Sequence, residues 1–301
     1  EERRPQPPME KRGNSDMITR RYLDSLLVEM RLVDSDLAST KMTLFGHEFD
    51  TPAMFGVIGG YERFEGSLEG QAEAVFENNT VLWLPAPLPV ETLKTAVQAG
   101  AKVLYTMKPY ADRKKLMELA KQAEELGAFA IASDIDHAYG RDGSYDHMGD
   151  NVMKAFSREE LQTFASSLKV PFLVKGILSV QDALKCKEAG VSGILVSHHH
   201  GIMDYALPPL YILPKIREAV GEDYPVIADC SIESGADVFK ALALGADGVC
   251  IARASMKFMK DGKEGFDGYL KQVTGELRHF LNRTGSPDIR HIDPSVIHRI
   301  G

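Results

Sequence analysis

Cysteine is scarce in this chain of 301 residues: Cys186, Cys230 and Cys250 are its only three, and none stands at paired ligand spacing from another. That excludes a disulfide framework and a cysteine-built zinc site, and predicts reduced, buried thiols in a cytoplasmic protein. A basic excess is missing too. With 35 Lys and Arg against 43 Asp and Glu, the net charge of −8 argues against the basic face that binding along a nucleic acid requires. No apolar run approaches the ~20 residues of a membrane-spanning helix, and the opening EERRPQPPMEKRGNSD is charged and proline-rich, the opposite of a signal peptide. Residues 1–16 are therefore expected to be a mobile tail, ahead of a single domain over 17–301.

What is abundant is apolar sequence in short pieces. VPFLVKG, GILVSHHHG, PVIADCS and GVCIARA read as strands buried on both faces, each stopping in polar residues. The phrases AVQAGAKVLYT, AEELGAFAIAS, CKEAGVSGILVS and ALALGADGVCIA share one order: a helix end, a glycine suited to a left-handed cap, then a strand. Eight strands are predicted, at Ala53 to Val57, Val81 to Leu84, Val103 to Thr106, Ala128 to Ser133, Phe172 to Lys175, Ile194 to Ser197, Val226 to Asp229 and Val249 to Ala252. Eight strand–helix units in about 250 residues make an α/β protein of the TIM (β/α)8 barrel class. The competing architecture is an open doubly wound sheet, for which FGVIGGYERFEG around Gly59 is only a loose approach to the dinucleotide fingerprint. Two further segments stand out. Met17 to Leu37 has apolar residues at helical spacing and predicts a helical extension under or beside the barrel. The long polar stretch SDIDHAYGRDGSYDHMGDNVMKAFSREEL after the fourth strand predicts a lid or binding segment.

Active sites of such barrels lie at the C-terminal strand ends, where Asp134, Asp136, Lys175, Ser197, His199, Asp229 and Arg253 are expected to converge. An ammonium ending an apolar strand needs an anion or polar partners. Lys175 therefore reads as a Schiff-base lysine, as the electrostatic partner of a reduced cofactor, or as half of a structural ion pair. Arg253, one residue past the last strand, suits a phosphate-binding corner. The triplet His198, His199, His200 does not make a metal site, because consecutive residues of an extended chain point alternately and no further ligand stands at the needed spacing. A histidine at one strand end with an aspartate at a neighbouring one is instead the pattern of a general base and its orienting carboxylate.

LVKG at Leu173, VSHHHG at Val196, DVFKALALGADGVCIAR from Asp237 to Arg253 and SLEGQ at Ser67 carry a resemblance. Over about Asp16 to Ile300 the chain resembles the FMN-dependent α-hydroxy-acid dehydrogenases, the family of glycolate oxidase and lactate oxidase, as a divergent member. The resemblance implies FMN as cofactor. It implies His199 as the catalytic base, Asp136 as the carboxylate that orients it, and Lys175 beside the N1 edge of the flavin. Further cofactor contacts are implied for Val57, Ile58 and Gly59 on the first strand, for Thr106, Asp134 and Ser197, for Asp229 and Ser231 in the turn matching D-G-G-V-R, and for the pair Ala252 and Arg253.

The departures from the family pattern carry information of their own. Ile202 stands where an arginine grips the substrate carboxylate, Lys108 where a tyrosine assists it, and Glu233 where an arginine meets the phosphate. An arginine fork fits a carboxylate in a way isoleucine cannot. The expected function is an FMN-dependent oxidoreductase acting on a CH–OH group of a small molecule, with altered substrate choice and with Lys108 or Arg141 taking over anion binding. The alternatives are a barrel that has lost FMN and serves as a binding module, and a flavin-free lyase using Lys175. A homo-oligomer is expected from the same resemblance.

Overall fold

The computed structural model describes residues 12–85 and 88–300; residues 1–11 of the expected tail lie outside the described residues. Eight strands close a barrel: β1 Ala53–Phe55, β2 Val81–Pro85, β3 Lys102–Met107, β4 Ala130–Asp134, β5 Phe172–Ile177, β6 Gly193–Val196, β7 Val226–Ala228 and β8 Gly248–Ile251. Every neighbour is parallel, and the ring shuts where β8 meets β1. The barrel, not the open sheet, is the architecture.

Helices cover the outside, and their ends follow from the sequence. Ser179 and Ser234 cap the helices Val180–Glu188 and Gly235–Ala243 by accepting the backbone N–H of Asp182 and Asp237. Gly190 and Gly245 close them at φ 76° and 108°, backbone angles that side chains disfavour. Phe55 and Phe172 pack outward against Phe266 and Phe164 of the surrounding helices, and Trp83, Tyr105 and the aliphatic strand residues are buried, so the working surface of the barrel is its rim.

The helix expected over Met17 to Leu37 is much shorter and begins earlier. It runs from Ser15 to Asp24, with the Asn14 side chain accepting the N–H of Asp16 and Met17. Leu26–Val28 then pairs antiparallel with Ile297–Arg299. The reason is burial: Met30, Leu32, Val33 and Leu37 are all exposed, so no apolar stripe faces the core and a longer helix would gain nothing from packing. The polar stretch after β4 forms a 3-10 turn, Ile135–Ala138, and a small ribbon of His147–Met148 with Asn151–Val152. Ala111 N–H donates to Val152 O and Lys154 N–H to Pro109 O, which stitches this segment to the end of β3. The three thiols are free, with Cys186 and Cys250 buried and Cys230 half-buried.

Candidate active site

The register of β4 and β5 sets Lys175 directly opposite Asp134. Lys175 Nζ lies 3.1 Å from Asp134 Oδ1 and 3.7 Å from Asp136 Oδ2. His199, just beyond β6, enters from the third side: its Nδ1 is 3.0 Å from Asp134 Oδ2, 3.0 Å from Asp136 Oδ1 and 2.8 Å from Lys175 Nζ. A φ of 45° at His199 turns the chain back over the rim, and Ser197 Oγ accepts its N–H at 3.1 Å. Three successive strands therefore bring one base, two carboxylates and one ammonium to a single point, as the sequence predicts.

Charges so placed shift one another. Burial opposes ionisation of Asp134, but Lys175, His199 and Lys108 outweigh it and hold the carboxyl well below its usual range. Burial likewise works against the Lys175 ammonium, and Asp134, Asp136 and Asp229 overcome it, so its pKa is raised. For His199 burial and Lys175 push down while the hydrogen bond to Asp134 and the nearby carboxylate of Asp136 push up, and the carboxylates win. Lys108 donates to Asp134 Oδ2 at 2.8 Å, and burial draws it down against the pull of that carboxylate. Asp134, Asp136, His137 and His199 each bring a ligand-type atom within 4.8 Å of the others; Lys108 and Lys175 neutralise the same carboxylates.

A cavity of about 660 Å³ opens beside this cluster, lined by Val57, Lys175, His199, Asp229, Ser231 and Arg253 among others. At its far end Cys230 and Ser231 adopt φ 74° and 58°. That left-handed pair bends the backbone around the end of the cavity even though neither residue is glycine. Arg253 and Lys257 add positive charge to this end, and Glu233 and Asp16 oppose it. Asp16 Oδ2 pairs with Arg253 Nη2 at 3.0 Å and also contacts His200 Nδ1. A second cavity of about 600 Å³ adjoins on the other side of Asp136 and Ser197, with Tyr139, Arg141, Leu178, Ile202 and Met203 in its wall.

The other expected contacts divide. Val57, Ala252 and Asp229 line the larger cavity, while Ile58 is buried beside it in the chain. An added Cβ on Gly59 would meet nothing within 4 Å. Ser197 faces the second cavity. Asp134 and Lys108 sit behind the rim as an ion pair, each at most 10% exposed, and neither lines either of these two cavities. Three contributors escaped the sequence reading: Asp16, His137 and Asp146. His137 adjoins Asp136 in IASDIDHAYG, so the nearness of a second imidazole to the expected dyad was a usable signal.

The profile of the FMN-dependent dehydrogenase family matches residues 14–147 and 138–299. A 2-hydroxyacid oxidase of Dictyostelium discoideum is 28% identical over 95% of this chain and 84% of its own length. Glycolate oxidase 3 of Arabidopsis thaliana is 27% identical over 88% of this chain and 82% of its own. A mandelate oxidase variant with a monooxide FMN adduct superposes with TM-score 0.86 at 26% identity, covering 96% of this chain and 92% of that one. The residues present fit the flavin nucleotide. Thr106 Oγ1 is buried without a partner, the cavity lies within the ~300–1,000 Å³ usual for such ligands, Lys175 supplies a fixed cation on its inner wall, and the left-handed turn with Arg253 forms an anion corner. The chain belongs to the FMN-dependent dehydrogenase family and is an FMN-dependent oxidoreductase of the α-hydroxy-acid oxidase type.

Proposed function

We propose that the protein oxidises the CH–OH of a hydroxy acid carrying a bulky apolar group, rather than glycolate or lactate. The observation that carries this reading is the second cavity: its wall places Ile202 together with Leu178 and Met203, and leaves Arg141 as its guanidinium. Apolar walls select for apolar substituents, and a single guanidinium suffices for one carboxylate. Arg141 is the better anion binder of the two expected, because Lys108 is engaged by Asp134.

His199 would take the hydroxyl proton, with Asp136 3.0 Å from its Nδ1 holding the ring and stabilising the imidazolium. FMN, when bound, accepts the two electrons of the oxidation. Lys175 would set a positive charge against the cofactor as it gains electrons, and Ser197, Asp229, Ser231, Ala252 and Arg253 would hold its polar parts, with Val57, Ile58, Gly59 and Thr106 along the ring.

An absorption spectrum of gently purified protein, with identification of the released chromophore, tests the cofactor. Anaerobic bleaching with a panel of hydroxy acids tests the substrate: an aryl or branched hydroxy acid should bleach the flavin quickly and glycolate slowly. His199→Ala should keep the chromophore and lose about 10²–10⁴ in bleaching rate. Fast bleaching by glycolate, or full rate in His199→Ala, would refute the corresponding part. Residence in the cytoplasm and homo-oligomer formation belong to the same reading. Three free thiols support the first, and the exposed Met203, Tyr205, Leu207 and Tyr211 support the second; a monomer by light scattering would refute the latter.

A further inference from the structure

Two imidazole nitrogens that face each other at hydrogen-bond distance must share a proton, since two lone pairs or two N–H groups would repel. His137 Nε2 and His199 Nε2 are 3.0 Å apart, with the rings edge to face at 85° and their centroids separated by 4.3 Å. The other nitrogen of His137, Nδ1, lies 3.0 Å from Asp146 Oδ2. A carboxylate only accepts, so Nδ1 of His137 carries hydrogen and its neutral ring offers a lone pair at Nε2. Burial, then Lys108 and His199, hold His137 below the ordinary histidine value, which keeps that ring neutral around pH 7. The shared proton therefore sits on His199.

From this geometry we infer that Asp146 and His137 form a second carboxylate–imidazole dyad, meeting the Asp136–His199 dyad edge to face, and that His137 is a positioning residue that accepts the Nε2 hydrogen of His199. The inference rests on the proposed role of His199 as the base. His199 Nε2 carries that hydrogen at rest, and Lys175 Nζ lies 2.8 Å from the other nitrogen, Nδ1, so the tautomer of His199 is held by His137 on one side and by Lys175, Asp134 and Asp136 on the other. The charged groups facing the two rings are Asp134, Asp136 and Lys175 on the His199 side, and Asp146 and Lys108 on the His137 side. His137 is 23% exposed and Asp146 33%, so the second dyad leads outward from the rim.

The test is a pH titration of ¹⁵N-labelled histidine side chains by NMR, on the full chain with its cofactor, using His199→Gln to assign the His199 signals. At neutral pH the wild-type protein should show a protonated Nε2 on His199 and an unprotonated Nε2 on His137. His137→Phe removes the acceptor and should lower the His199 midpoint by about one pH unit. His137→Gln, whose side-chain oxygen accepts the same hydrogen, should leave that midpoint nearly in place. An unprotonated Nε2 on His199 in the wild type, or equal shifts in the Phe and Gln variants, would overturn the inference. None of these readings needs a substrate, so a failure of the flavin to bleach would count against the proposed reaction and leave this result standing.

Discussion

Asp16 shows how much one carboxylate decides at the phosphate end of the site. It lies in the first turn of the N-terminal helix, yet its Oδ2 pairs with Arg253, the cation best placed to meet a phosphate, while its Oδ1 is buried without a partner. An anion already on that arginine competes with an incoming one, and the exposed Glu233 on the same cavity wall adds to the repulsion. Asp16→Asn and Glu233→Arg are each expected to tighten FMN binding about fivefold, the scale of a partly exposed ion pair, measured by quenching of flavin fluorescence. Unchanged affinity in both variants, with the fold intact by circular dichroism, would mean that the phosphate does not approach this corner. The turn beside it makes the same point in backbone form. Cys230 and Ser231 hold left-handed angles where the family pattern has two glycines, so the left-handed turn survives although the residues that favour it do not.

Among the elements, the strands were the most legible. All eight were placed from the sequence to within two residues at either end, because a buried parallel strand needs an unbroken apolar run and the glycine cap before it marks where it starts. Lys175, His199, Asp136 and Arg253 followed, since strand ends of a barrel share one rim. The N-terminal helix was overextended because spacing reports a face but not whether anything covers it, and here Val33 and Leu37 face solvent. His137 and Asp146 were passed over because their pairing spans the irregular segment after β4, where no periodicity links sequence separation to distance. The bend in β5 connects strand geometry to chemistry. Gly176 has φ 97°, the register with β6 slips around it, and a Cβ there would lie 2.6 Å from Asp136 Oδ2. Gly176→Ala should therefore cost about 1–3 kcal/mol in stability through backbone strain, and should slow flavin reduction by about 10²-fold by displacing Asp136 from His199. Calorimetry and stopped-flow bleaching separate the two effects. A less stable variant with undiminished rate would show that Asp136 need not hold His199 where it stands.

For the whole molecule, the rim cluster makes folding depend on pH in a direction that can be worked out. Asp134 joins β4 to β5 and β3 through Lys175 and Lys108, all three side chains being at most 10% exposed. Its folded pKa lies well below the ordinary value, because the attraction of Lys175, His199 and Lys108 exceeds the cost of burial. A carboxyl shifted downward contributes stability that is fully present above its unfolded pKa, about 4, and that is lost as pH falls through the folded value. Asp134→Asn keeps the size but leaves two buried ammonium groups facing a neutral amide. Breaking a buried pair from one side costs about 3–5 kcal/mol, so at pH 7 the variant should melt well below the wild type. The gap should begin to narrow as pH drops below about 4, because the unfolded wild-type chain then binds a proton at Asp134 that the folded one does not, and should close only as pH falls through the folded pKa. Melting curves of both proteins from pH 7 down to the acid limit of folding provide the measurement. A gap that stays constant across that range would mean that Asp134 holds the barrel rim through packing and hydrogen bonds alone, and that its charge is there for the chemistry of Lys175 and His199 rather than for the fold.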